Sequence, residues 1–205
     1  MTQSMGIEAG SVTFENPKPS ALERVESTRQ QHELLTRALT ALGFGALWGL
    51  AAGSAVPALA IANVYKVPMV IALSIAVALP GVLVARHLLK LQVSVQALCA
   101  MIVTSLHRST LVLLGFAPLL GVYAYTSQWV APVLAQGSAL IALACGALTL
   151  KSELSRLDAP RGQLLTLGLV IVVALGLSLL QLITLATPVL TLPTAFGHGI
   201  DGVLR

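Results

Sequence analysis

Apolar residues run along this chain in long blocks, and charges fall between the blocks rather than on one face of each. That pattern predicts helices buried on all sides or immersed in lipid, not the amphipathic stripes of a soluble bundle. After a polar stretch over residues 1–37, the blocks place five membrane spans at about 38–64, 67–85, 109–126, 130–150 and 162–190. Ser109 to Leu150 carries no charge at all. One helix of that length would be about 63 Å long, roughly twice the thickness of a bilayer core, so it must fold back. The reversal falls at YAYTSQWVAP, where Tyr123, Tyr125 and Trp129 suit the headgroup level and Thr126, Ser127 and Gln128 lie between them.

The remaining segments follow from local chemistry. Residues 1–19 lack periodicity and are rich in Gly, Ser, Asn and Pro, which predicts a disordered tail. Ser20 followed by Glu23 forms a capping-box pattern that starts a polar helix over 20–37. Pro57 is expected to kink the first span, Lys66 to occupy a short loop, and Pro68 to open the second span. Pro80 and Pro118 interrupt the second and third spans as further kinks. Residues 91–106 place Gln92, Gln96, Ala100 and Thr104 on one stripe and Leu91, Val95, Leu98, Ile102 and Leu106 on another. This reads as an interfacial helix rather than a span. Pro188 and Pro193 end the last helix, and 193–205 is a Gly-rich, flexible tail on the outer side.

Composition settles the class. Hydrophobic residues make up 56% of the 205-residue chain and charged residues 10%, whereas soluble domains carry about 25% charged residues. The fold class is therefore an all-α, polytopic transmembrane helix bundle. The net charge of +4 is assigned to membrane sidedness and not to nucleic acid, because the basic residues flank the spans. With the amino terminus cytoplasmic, every Lys and Arg except Lys66 and Arg205 falls inside, as the positive-inside rule requires. Arg86, Lys90, Arg108, Lys151, Arg156 and Arg161 then form a cytoplasmic surface that also favours anionic lipid headgroups. The expected location is a bacterial inner membrane, and no apolar run in the first 37 residues resembles a secretory signal.

Few residues suggest chemistry. With Lys66 in a loop, the spans are free of Asp, Glu, Lys and Arg, which argues against an ion-coupled carrier. His32, His87, His107 and His198 are scattered and form no ligand pattern, Cys99 and Cys145 read as small buried hydrophobes, and no nucleophile elbow or phosphate loop occurs. No enzyme activity, cofactor or metal is expected. Ser54, Ser74, Ser138 and Ser178 are expected to bond to their own or a neighbouring helix. Gly45, Gly49 and Gly53 form a small-residue stripe that lets another helix approach closely, within the bundle or in a homo-oligomer.

Lys66, Pro68, Pro80 and Gly81, then LLKLQVSVQAL, then Ala117-Pro118 are similar to the Lys-x-Pro, mid-helix Pro, polar-turn and Ala-Pro succession of bacterial Yip1-like proteins. The layout resembles that superfamily of small membrane proteins with a cytosolic amino-terminal segment and five spans. The aromatic Leu-Tyr-Gly-Pro signature of its eukaryotic members is absent. The resemblance implies a non-enzymatic membrane organiser. The function expected is an anchor or scaffold that docks a protein partner at the membrane. The alternative is a small channel or uncoupled transporter whose pathway follows the kinks at Pro57, Pro80 and Pro118.

Overall fold

A computed structural model of the protein describes residues 21–127, 129–157 and 160–185, with the side chains of 28–127, 129–157 and 160–178. The tails at 1–19 and 193–205, Ser20 of the Ser20–Glu23 capping pair and the prolines at 188 and 193 lie outside those residues. The described chain contains five helices: α1 (Ala21–Ala52), α2 (Pro57–Leu88), α3 (Val95–Thr126), α4 (Val130–Leu154) and α5 (Arg161–Leu185). All five are long and apolar enough to cross a membrane. Large side chains such as Ile61, Val77, Leu140, Leu165 and Leu169 are exposed on their outer faces, a surface that only lipid covers favourably.

Three boundaries differ from the sequence reading, each for a local reason. The first span ends at Ala52, because Gly53 to Val56 forms the turn and Pro57 opens α2 in the position where a missing amide costs nothing. Pro57 is thus a helix start and not a kink. Lys66 and Pro68 consequently lie inside α2. The segment 91–106 is not a separate interfacial helix. Its residues from Val95 onward belong to α3, which Ser94 caps by accepting a hydrogen bond from Ala97 N at 3.1 Å. Gln96, Ala100 and Thr104 of the polar stripe lie along α3's first three turns, and Thr104 meets Arg37 of α1.

The packing order is α4–α3–α1–α2–α5, with α4 and α5 touching lightly. α1 and α3 run parallel, since Arg37 meets Thr104 and Thr40 meets His107. The other neighbours are antiparallel. The glycine stripe of α1 faces α2 within the chain. A Cβ at Gly49 would lie 2.7 Å from the Asn63 carbonyl oxygen, and one at Gly53 2.7 Å from the Ala60 nitrogen. Those backbones meet because nothing larger stands between them. On α3, Ser105 Oγ donates to Gly146 O of α4 at 2.6 Å, a second close seam.

Two apolar clusters fill the bundle. One joins Trp48 and Ala52 of α1, Val67, Leu120 and Ala135 near one end. The other gathers Val82, Leu98, Leu150, Leu154, Leu164 and Leu167 near the opposite end, together with Leu91 and Val93 of the α2–α3 connection. That connection is therefore part of the core. Gly43, by contrast, has open space where a Cβ would stand. Gly49→Ala is expected to lower stability by about 1–3 kcal/mol through overpacking, while Gly43→Ala stays within about 0.5 kcal/mol. Unfolding midpoints in detergent measure both.

Candidate functional site

The alternation of the helices gathers the charged residues at one end of the bundle. α2 closes there with Arg86 and His87, α4 with Lys151, and α5 opens there with Arg161. Arg86 is half-buried, whereas Lys90, Lys151, Arg156 and Arg161 are exposed. Arg156 is tied to Glu153 at 3.3 Å across an exposed helix end, a contact worth little in water. Arg108 is exposed but stands farther up α3, beside the middle of α1 rather than at the end. It is thus separated along the bundle axis from the other predicted surface residues.

The connection after α2 fixes this end. The Leu91 amide donates to Arg86 O at 3.2 Å and the Lys90 amide to His87 O at 3.1 Å. These two bonds form a Schellman cap, with Lys90 in the left-handed position at φ 51°. Glycine normally stands there because a side chain costs about 1–2 kcal/mol. Leu91 is buried in the core cluster against which Ala85 also packs, in keeping with the apolar contact that accompanies such caps. The result is a lysine held at a defined place on a packed loop rather than on a free one.

Above this end, α1 and α3 share a polar seam. Arg37 Nη1 donates to Thr104 Oγ1 at 3.3 Å and also lies 4.0 Å from Glu33. Thr40 Oγ1 lies 2.9 Å from Thr36 O and 3.2 Å from His107 Nδ1. The hydroxyl has one proton, so it either gives it to a backbone carbonyl and accepts from an Nδ1–H, or gives it to a bare Nδ1. Phe44 stacks obliquely on the same ring, 5.7 Å between centroids. His107 belongs to no ligand pattern in the sequence, and its partner Thr40, 67 positions away, gives no local signal.

Deeper polar groups serve the bundle itself. Ser74 Oγ donates to Val70 O at 2.7 Å and Ser138 Oγ to Ala135 O at 2.9 Å. Ser138 also accepts from Trp48 Nε1 at 3.2 Å, which ties α1 to α4. Tyr125 Oη donates to Ser54 O at 2.6 Å and ties α3 to the turn after α1. Cys99 and Cys145 are free thiols, half-buried on different helices. Among the described residues no group of three His, Cys, Asp or Glu side chains could hold a metal ion. Lys66 brings a charge into α2. It is half-buried one turn beyond the fully buried Asn63 and roughly 13 Å from the start of α2. The expectation of spans free of Lys and Arg is corrected at Lys66, because α2 begins at Pro57 and not at 67, and at Arg108, because α3 begins at Val95 and carries it in mid-helix.

Pro57, Pro80 and Pro118 are all exposed. Pro80 and Pro118 lie inside helices and leave the carbonyls of Ala76 and Leu114 without their usual amide donors. Comparison with family models, with curated proteins and with solved structures gives no match for this chain. Lys90→Gly is expected to raise stability by about 1 kcal/mol, because it relieves the left-handed backbone. Chemical or thermal unfolding in detergent checks this.

Proposed function

We propose that this five-helix membrane protein is a non-enzymatic anchor or scaffold, and that its basic end docks a protein partner at the cytoplasmic face of the membrane. The observation that carries the reading is the Lys90 cap. A lysine occupies a backbone position where glycine would cost less, on a loop whose next residue is locked into the core. Strain that the surroundings maintain points to a role for the side chain. Lys90 shares its end of the bundle with Lys151, Arg156 and Arg161, and a fixed pattern of exposed positive charge suits recognition of an acidic surface.

The sidedness in this proposal rests on the distribution of Lys and Arg, and the bacterial inner membrane on the resemblance to bacterial Yip1-like proteins. The likeness to Yip1-like organisers agrees with it on the residues of α2 and the α2–α3 connection. The exposed positions of the three prolines lend no support to a pathway lined by kinks. A small channel or uncoupled transporter is the outcome that would replace the proposal.

The test has two arms. The protein is purified in mild detergent with its native neighbours, and is reconstituted alone for flux. A stable co-purifying partner whose binding weakens about tenfold in Lys90→Gly, with stability unimpaired, supports the scaffold. Flux of small solutes from the protein alone, with no partner, overturns it. In a cysteine-free background, Ser152→Cys should label only after the membrane is permeabilised and Trp129→Cys from outside. The reverse pattern overturns the orientation.

A further inference from the structure

Helix register lets charges on different helices be placed on one axis. Arg37 meets Thr104 and Thr40 meets His107, so Arg108 of α3 lies level with Ala41 of α1. On the other side of α1, Gly45 lies against Val67 and Ile71, Gly49 against Asn63, and Gly53 against Ala60. Continued by one turn, that register sets Ala41 level with about residue 72 of α2. Lys66 and Arg108 are therefore only about 9 Å apart along the bundle at 1.5 Å per residue. A bilayer core is about 30 Å thick. In an upright bundle, no such slab keeps both residues out of hydrocarbon while also holding the apolar lengths of α2 and α3.

The two helices disagree in the same direction at both ends. On α2 the charge-free length runs from Lys66 to Arg86. On α3 it runs from Arg108 to the aromatic turn at Tyr125, whose hydroxyl reaches Ser54 level with about the start of α2. Arg86 thus lies about 21 Å beyond the level of Arg108, and Lys66 about 10 Å below that of Tyr125. Long side chains lean toward the start of their own helix, which at Lys66 and Arg108 is also the direction of snorkelling. This draws Arg86 and Arg108 together and carries Lys66 toward Tyr125, which leaves charge levels staggered by roughly 5–10 Å at each end. α1 stands between α2 and α3, so they are separated by two helix spacings of about 9 Å.

We infer that lipid headgroups meet this bundle along an oblique belt. The belt passes Arg108 and Arg86 on the basic side and Tyr125 and Lys66 on the other, and it tilts the bundle by about 15–30°, within the range transmembrane helices adopt. The first three turns of α3, with the polar half of α1, then stand out of the bilayer at the basic end. The first two turns of α2 stand out at the opposite end. Lipid phosphates are the partners at Arg108, which is exposed in mid-helix and would otherwise face hydrocarbon at considerable cost.

Two pairs of exposed positions test this, since each pair is level along the bundle: Val84 with Gln96, and Ile61 with Val122. Single spin labels are placed there in the full chain carrying Cys99→Ala and Cys145→Ala, reconstituted in vesicles of zwitterionic and anionic phospholipid. Accessibility to oxygen and to a water-soluble nickel reagent gives each label's depth. A label that disturbs the protein moves to an exposed neighbour: Gly81, Val95, Ala58 or Leu119. Val84 is expected about 5–10 Å deeper than Gln96, and Ile61 shallower than Val122 by a similar distance. Equal depths within either pair, or a difference of the same sign at both ends, overturn the inference.

Discussion

The close approach of α1 to α2 is the contact on which the rest of this bundle depends. In lipid no hydrophobic force presses helices together, so they associate where backbones come close enough for dispersion and weak polar contacts to accumulate. Gly49 and Gly53 leave room for the backbone of Asn63 and Ala60. Any side chain there would push α2 outward. The displacement would reach α5, which packs mainly on α2 and only lightly on α4. The opposite flank of α1 carries α3, and through Trp48 it reaches Ser138 of α4. α1 is thus the central helix, although it is also the one whose amino-terminal half is polar.

That dual character explains which features were legible in the sequence. Five apolar helices followed from block length and charge, and the glycine stripe followed from spacing. The face that receives the stripe could not be read, because spacing on one helix carries no information about its partner. The α1–α2 boundary was misjudged because two prolines, Pro57 and Pro68, both suit a helix start, and a rule that keeps charge out of spans favoured the one beside Lys66. The structure uses Pro57 and carries the lysine into the helix. The turn signal was present in Gly53 and Ser54, but it is short and lies inside an apolar run.

Residues 91–106 failed for the opposite reason. Their two stripes are real, but they continue into one long helix whose polar stripe meets α1 at Thr104. An amphipathic pattern states that two environments exist and not what fills them. The seam of Arg37, Thr40, Thr104 and His107 joins residues 67 positions apart, so no local pattern could reveal it. The Schellman cap was hidden because its diagnostic residue is usually glycine, and here it is Lys90.

The same cap links the fold to the proposed role. A charged loop at the end of a bundle recognises little if it is free to move, because ordering it on binding costs affinity. Here Leu91 and Val93 anchor the loop in the cluster that also holds Leu98, Leu154 and Leu164. Four helices therefore have to shift before Lys90 can. The basic residues at the ends of α2, α4 and α5 share that cluster as their base, so their spacing is set by core packing. Arg108, higher on α3, is assigned by the inferred tilt to the lipid boundary and not to the proposed docking face. A substitution in the cluster, such as Leu98→Ala, would then disturb recognition at the basic end without touching a charge, whereas neutralising Arg108 would alter how the bundle sits in the bilayer and leave the charge pattern at its end intact.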